Sequence, residues 1–224
     1  MKTENTPLPR IAVFDVDRTL VLETSGEVQL IRFLRQKGML PMLNFGRSLL
    51  GFIRQLPNGF EEVILRKSLY LRGLNARDVK SLVPELFERV LKPRLSLRVQ
   101  EYMNMLRERG HEIVLISGTV DFLLDFLVER LNAHGGMGSH VEIQNGKFTG
   151  RILGIHPYYH GKVKALRAYL NGRRIDYPRS YCFGDSWADF PLLSLFGNPV
   201  AVNPGRILKR RAEREGWKVI LDRR

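Results

Sequence analysis

The chain has 224 residues, 44% of them hydrophobic, and a formal net charge of +13. That length supports one good-sized core or a core with a smaller domain, and the charge favours anionic partners: phosphorylated substrates, nucleic acid or anionic membrane. The single cysteine, Cys182, excludes an internal disulfide, and no apolar run approaches the roughly 18 residues of a membrane-spanning helix. The polar start of the chain, through Arg10, lacks the apolar segment of a signal peptide, which with the lone cysteine suggests a reducing, cytoplasmic setting.

In chain order, Ile11-Ala12-Val13-Phe14 is a short apolar run after Pro9 and Arg10 and reads as a buried parallel strand. It delivers Asp15 and Asp17 at its C-terminal end, where open α/β sheets place their ligands. A carboxylate pair there can supply a nucleophile and a proton carrier, and an acidic strand-to-loop turn is the plain alternative. From 28 to about 92 the pattern is helical, broken at Gly38, Pro41, Pro57-Asn58-Gly59 and Gly73. Strand and helix patterns then alternate. A helix over 97–106 precedes a strand over 113–117 that ends in Ser117-Gly118-Thr119, and a helix follows over 120–131. Residues 141–143 and 147–152 read as a hairpin about Asn145-Gly146. A helix over 162–169 begins at Lys162, and a strand over 181–184 leads into Asp185 and Asp189. A short helix over 192–196, a strand over 200–202, a last helix and a strand over 218–221 complete the chain. The expectation is an α/β fold: a Rossmann-like parallel sheet core over 8–22 and 96–224, with a small all-helical cap domain inserted over 23–95.

Four segments carry a resemblance: Asp15-Val16-Asp17-Arg18-Thr19, Ser117-Gly118-Thr119, Gly161-Lys162 and Gly184-Asp185-Ser186-Trp187-Ala188-Asp189. In this order they resemble the haloacid dehalogenase-like phosphatases, and most closely their phosphoserine-phosphatase-like branch. Pro191-Leu192-Leu193 and Ala201-Val202-Asn203-Pro204 are similar to that branch too, so the likeness runs from about Arg10 to the end. It implies phosphomonoester hydrolysis with a helical cap between the first two motifs. Asp15 is the expected nucleophile, giving an aspartyl-phosphate, and Asp17 the general acid and then base. Mg²⁺ wants hard oxygen ligands, for which Asp15, Asp185 and the backbone carbonyl of Asp17 would suffice, with Asp189 behind them orienting water or a ligand. Without a cation these carboxylates would repel one another. Ser117 and the Gly118 N–H should hold phosphate oxygens at a helix N-terminus, with an ordinary N-cap as the alternative for Ser117. Lys162 should neutralise the phosphoryl group, ahead of Lys164 and Lys147. Thr19 matches the family's threonine, as a phosphate contact or a brace for the loop, whereas Arg18 replaces the small residue common there. His156, His160 and Cys182 read as structural.

Two departures concern the substrate. Phosphoserine phosphatases place a glutamate nine residues after the nucleophile, where this chain has Thr24, with Glu23 before it. Their carboxylate-binding arginine aligns loosely with Lys67, beside Arg66, and a lysine does not replace an arginine in bidentate binding. Residues 28–56 hold Arg32, Arg35, Lys37, Arg47 and Arg54 and no acid: a solvated cap face, or a patch touching an anionic membrane peripherally. Residues 206–224 hold eight basic and three acidic side chains and only one aromatic, Trp217, which argues against nucleic acid. The expected activity is therefore a Mg²⁺-dependent phosphatase for a small-molecule or lipid phosphate. Phosphoserine hydrolysis, phosphotransfer, or membrane or nucleic-acid binding on the same scaffold are the alternatives. A binding protein has no need of a nucleophile, so the intact set Asp15, Asp17, Ser117, Lys162 and Asp185 favours the enzyme.

Overall fold

A computed structural model describes residues 7–40 and 67–222. Seven strands form one sheet: β1 (Arg10–Phe14), β2 (His111–Val120), β3 (Gly135–Gln144), β4 (Lys147–Leu153), β5 (Tyr181–Gly184), β6 (Asn198–Val202) and β7 (Lys218–Ile220). Their order is β4-β3-β2-β1-β5-β6-β7, and β4 alone runs antiparallel to its neighbour. The sheet is thus the expected parallel core with one antiparallel edge, contributed by the hairpin. β1 lies at its centre, with Phe14 level with Leu115 of β2 and Phe183 of β5. The chain builds outward in both directions from β1, which opens a crevice at the C-terminal strand ends.

The continuous apolar character of β1 has a direct cause: Ile11, Ala12, Val13 and Phe14 are all fully buried, between two helical layers. Ala12 and Phe14 face one core cluster, with α1 (Gly26–Gln36), α4 (Leu97–Glu108) and α5 (Asp121–Arg130) over it. Ile11 and Val13 face the other, under α6 (His160–Leu170), α7 (Phe190–Leu193) and α8 (Arg206–Arg214). The Phe14 and Phe183 rings stack at 4.3 Å in the first cluster.

Between β1 and β2 the described residues are helical but broken. α1, α2 (Ala76–Ser81) and α3 (Val83–Leu86) are accompanied by a short 3₁₀ turn before α2, at Lys67–Leu71, and by π and 3₁₀ turns after α3, at Phe87–Leu91 and Lys92–Arg94. Leu30, Leu34, Leu71, Leu86 and Leu91 pack in the same cluster as Phe14 and Leu115, so this part of the insert seats directly on the sheet. Arg47, Arg54 and Arg66 lie outside the described residues, as does the side chain of Lys67. Among the described residues no helix is long and apolar enough to cross a membrane.

Two boundaries differ from the sequence reading. β2 continues to Val120 and α5 starts only at Asp121, so Ser117 sits inside a strand and caps no helix. β3 starts at Gly135, through a glycine-rich stretch without hydrophobic alternation. The hairpin turn is as expected: Asn145 and Gly146 adopt φ of 50° and 73°, the two positive angles of a type I′ turn.

Candidate active site

Asp15 follows β1 directly, and its N–H donates to the Phe183 carbonyl at 3.0 Å, so the strand register sets its position. Lys162, from the first turn of α6, reaches across the crevice and donates to Asp15 Oδ1 at 2.5 Å and to Asp189. Lys162 is buried with both partners, whereas Lys164 and Lys147 are exposed. The second oxygen of Asp189 accepts from the N–H groups of Asp185 (3.2 Å) and Ser186 (3.0 Å) and from Ser186 Oγ (2.9 Å). Two glycines make this geometry feasible. A Cβ at Gly161 would lie 2.0 Å from the His156 carbonyl, and one at Gly184 would lie 2.6 Å from Asp189 Cβ.

Asp17 is held from two sides. Its Oδ1 accepts the Gly26 N–H at the start of α1 (2.8 Å), and its Oδ2 accepts from Ser117 Oγ at 3.4 Å. The helix after the first motif thereby aims the expected acid. Ser117 is fully buried and its Oγ also accepts the Thr119 N–H at 3.1 Å, so it serves Asp17 and the strand end rather than a helix N-terminus. Thr19 is likewise fully buried, and its hydroxyl makes no hydrogen bond. Gly118 does reach the cavity. That cavity, about 590 Å³, is also lined by Asp15, Asp17, Lys162 and Asp185, and by Arg18, Glu23, Thr24, Glu27, Arg32 and Arg94.

Sequence reasoning missed Ser139. Its Oγ donates to the Gly118 carbonyl at 2.7 Å and stands 2.7 Å from His156 Nδ1. A carbonyl only accepts, so the hydroxyl proton points to Gly118 and the imidazole donates to Ser139. This relay braces the Gly118 peptide, and it gives His156 a positioning role. His160 is exposed, its ring edge-on to Tyr159. Cys182 is fully buried in β5, and burial pushes its thiol well up.

The centre holds more negative than positive charge. Burial pushes the Asp15 carboxyl well up, Lys162 opposes this, and Asp189, Asp185 and Asp17 add to it. Burial and Asp189 raise Asp185 to about 7, against Arg18 and Lys162. Burial acts against both charges of the Lys162–Asp189 pair, yet Asp15 and Asp189 hold the ammonium up and Lys162 and Ser186 hold Asp189 down. Carboxylate oxygens of Asp15, Asp185 and Asp189 lie within 4.8 Å of one another. Hard, buried, mutually repelling oxygens are a donor set that fits a divalent cation of the Mg²⁺ kind.

A pH dependence follows. Asp15 and Asp185 hold protons more tightly folded than unfolded, so between about pH 4 and 7 the native chain binds the excess of protons, and stability falls as pH rises. EDTA-treated protein should melt higher at pH 5.5 than a parallel Asp185→Asn comparison would allow: the wild type gains on going from pH 8 to 5.5 relative to the variant. An equal pH response in the two proteins would contradict the raised proton affinity of Asp185.

A family model for haloacid dehalogenase-like hydrolases matches residues 12–194, which takes in every one of these side chains. The chain belongs to that family. It is 27% identical over 222 residues to the phosphoserine phosphatase SerB1 of Mycobacterium tuberculosis, covering 95% of this chain and 70% of that protein. It is 27% identical over 221 residues to a histidinol-phosphatase of Neisseria meningitidis, covering 95% and 99%. A solved structure of a phospho-aspartyl intermediate analogue of phosphoserine phosphatase has the same fold, with a TM-score of 0.68 at 19% identity over 97% of this chain and 95% of that one. The chain is thus a family member of the phosphoserine-phosphatase-like branch, and a phosphoric monoester hydrolase.

Proposed function

We propose that this phosphatase is Mg²⁺-dependent and works through an aspartyl-phosphate on Asp15, with residues 23–95 acting as a cap over a core of 8–22 and 96–224. The observation that carries the reading is the buried cluster of Asp15, Asp185 and Asp189 about Lys162, at the floor of a cavity at the strand ends. In the first step an Asp15 oxygen bonds to phosphorus while the bond from phosphorus to the leaving alcohol oxygen breaks, and Asp17 gives that oxygen its proton. In the second step water attacks phosphorus, Asp17 takes its proton, and the bond from Asp15 to phosphorus breaks, releasing inorganic phosphate. Lys162 and the Gly118 N–H neutralise the phosphoryl oxygens in both steps. Asp15, Asp185 and the carbonyl of Asp17 would hold Mg²⁺, with Asp189 behind them. The ion, when bound, supplies charge neutralisation and a fixed orientation for the phosphoryl group.

The substrate is a small polar phosphate ester. Charged side chains, Glu23, Glu27, Arg18, Arg32 and Arg94, are among those lining the cavity, which suits a polar leaving group better than an acyl chain. Lys37 of the basic patch is engaged with Glu85 at 2.7 Å, which further weakens a membrane-facing reading of that patch. Phosphoserine and histidinol phosphate, the substrates in the names of the two relatives, are the first to assay. EDTA should abolish hydrolysis of an aryl phosphate, and Mg²⁺ should restore it. Undiminished turnover in EDTA would remove the metal from this account.

A further inference from the structure

We propose that Arg18 is a tethered counter-ion of Asp185 that competes with the divalent cation for that carboxylate and so sets the affinity for metal. The inference rests on the Mg²⁺ reading above and adds to it a residue of this chain that works against the ion.

Arg18 stands where its backbone is least comfortable. Its φ is +63°, in the left-handed region that favours glycine. The conformation is pinned by its N–H, which donates to the carbonyls of both Val21 (2.8 Å) and Thr24 (3.2 Å). From that strained position the side chain places Nε 3.0 Å from Asp185 Oδ2. Lys162 is committed elsewhere, to Asp15 and Asp189, so Arg18 is the cation that pairs with Asp185 among the described residues. A positive group so close to a ligand oxygen opposes a divalent cation twice. It occupies an oxygen the ion needs, and it repels the ion itself.

The exposure of the pair makes the competition reversible. The Arg18 side chain is 59% exposed, against 10% for Asp185. Ion pairs with such a solvated partner are weak and are readily exchanged. A divalent cation can therefore displace the guanidinium, which stays tethered at the cavity wall beside the phosphoryl site. A small residue at this position would leave Asp185 open to the ion. Arginine instead keeps the cluster partly neutralised when no ion is bound.

Calorimetric titration of EDTA-stripped, full-length protein with Mg²⁺, in the absence of substrate, tests this. Arg18→Gln keeps the side chain out to the level of Nε, and the backbone strain, but removes the charge. It should bind Mg²⁺ about threefold to tenfold more tightly than wild type, from the lost pair and the lost repulsion together. Arg18→Lys should stay near wild type. Added KCl should narrow the gap between wild type and Arg18→Gln, because an exposed pair is screened. Arg18→Gly, which also relieves the positive φ, gives the same readout should the glutamine variant fold poorly. Equal or weaker Mg²⁺ binding in the uncharged variants overturns the proposal while leaving the Mg²⁺ reading in place. Wild type and variants alike taking up no Mg²⁺ would instead overturn that reading, and this inference with it.

Discussion

Asp15→Asn should abolish phosphatase turnover, a loss on the order of 10⁴-fold or more in kcat, in a protein that still folds. The two halves of that expectation come from the same geometry. Asp15 is the carboxylate that β1 delivers to the crevice, and an amide cannot attack phosphorus to give a stable acyl phosphate. The fold tolerates the change because burial already disfavours the charged form of Asp15. A neutral side chain of the same shape relieves repulsion from Asp185 and Asp189, and Lys162 keeps its contact with Asp189. The melting temperature should therefore hold or rise while activity disappears. A variant inactive only because it is unfolded would not support the assignment.

Lys162→Ala should cut kcat/KM about a hundredfold or more, the scale of a positioned charge acting on a transition state. Unlike Asp15→Asn, it should also destabilise. Lys162 is 5% exposed and lies between Asp15 and Asp189, so its removal leaves buried carboxylates facing each other without their shared cation. Breaking a buried pair in this way costs about 3–5 kcal/mol. Lys162→Met preserves more of the packing and should lose the same activity with less of the packing penalty. Lys164→Ala, on the exposed face of the same helix, should be close to wild type in both respects. Urea denaturation and steady-state kinetics on the three variants separate these effects. A large loss in Lys164→Ala would mean that the wrong lysine was chosen.

The position of the candidate set was legible because parallel strands are buried on both faces and therefore write themselves as short apolar runs. Ile11 to Phe14 and Tyr181 to Gly184 announce where the next residues, Asp15 and Asp185, must emerge. The Asn145-Gly146 turn was legible for an equally local reason, its two positive φ angles. What the sequence hid depends on contacts between distant segments. Ser117 looked like a helix cap, since a serine before an apolar helical pattern usually is one, but β2 runs three residues beyond it. β3 begins in glycines that carry no period, which concealed both the strand and Ser139 on it. The basic character of Arg18 was plain, but its partner, Asp185, is supplied by a strand far along the chain. The antiparallel edge strand β4 could be read as half of a hairpin, not as the border of the main sheet.

The central claim is that Asp15 is phosphorylated and that Asp17 carries the proton. Intact-protein mass spectrometry of Asp17→Asn, mixed with an aryl phosphate and Mg²⁺ and rapidly quenched in acid, tests it most directly. An aryl phosphate leaves with little help from an acid, so the first step should survive in this variant, whereas the second still needs a base to activate water. A covalent adduct about 80 Da heavier, the mass of one phosphoryl group, should accumulate and map to Asp15. An adduct on any other residue, or one that forms equally in Asp15→Asn, would contradict the account.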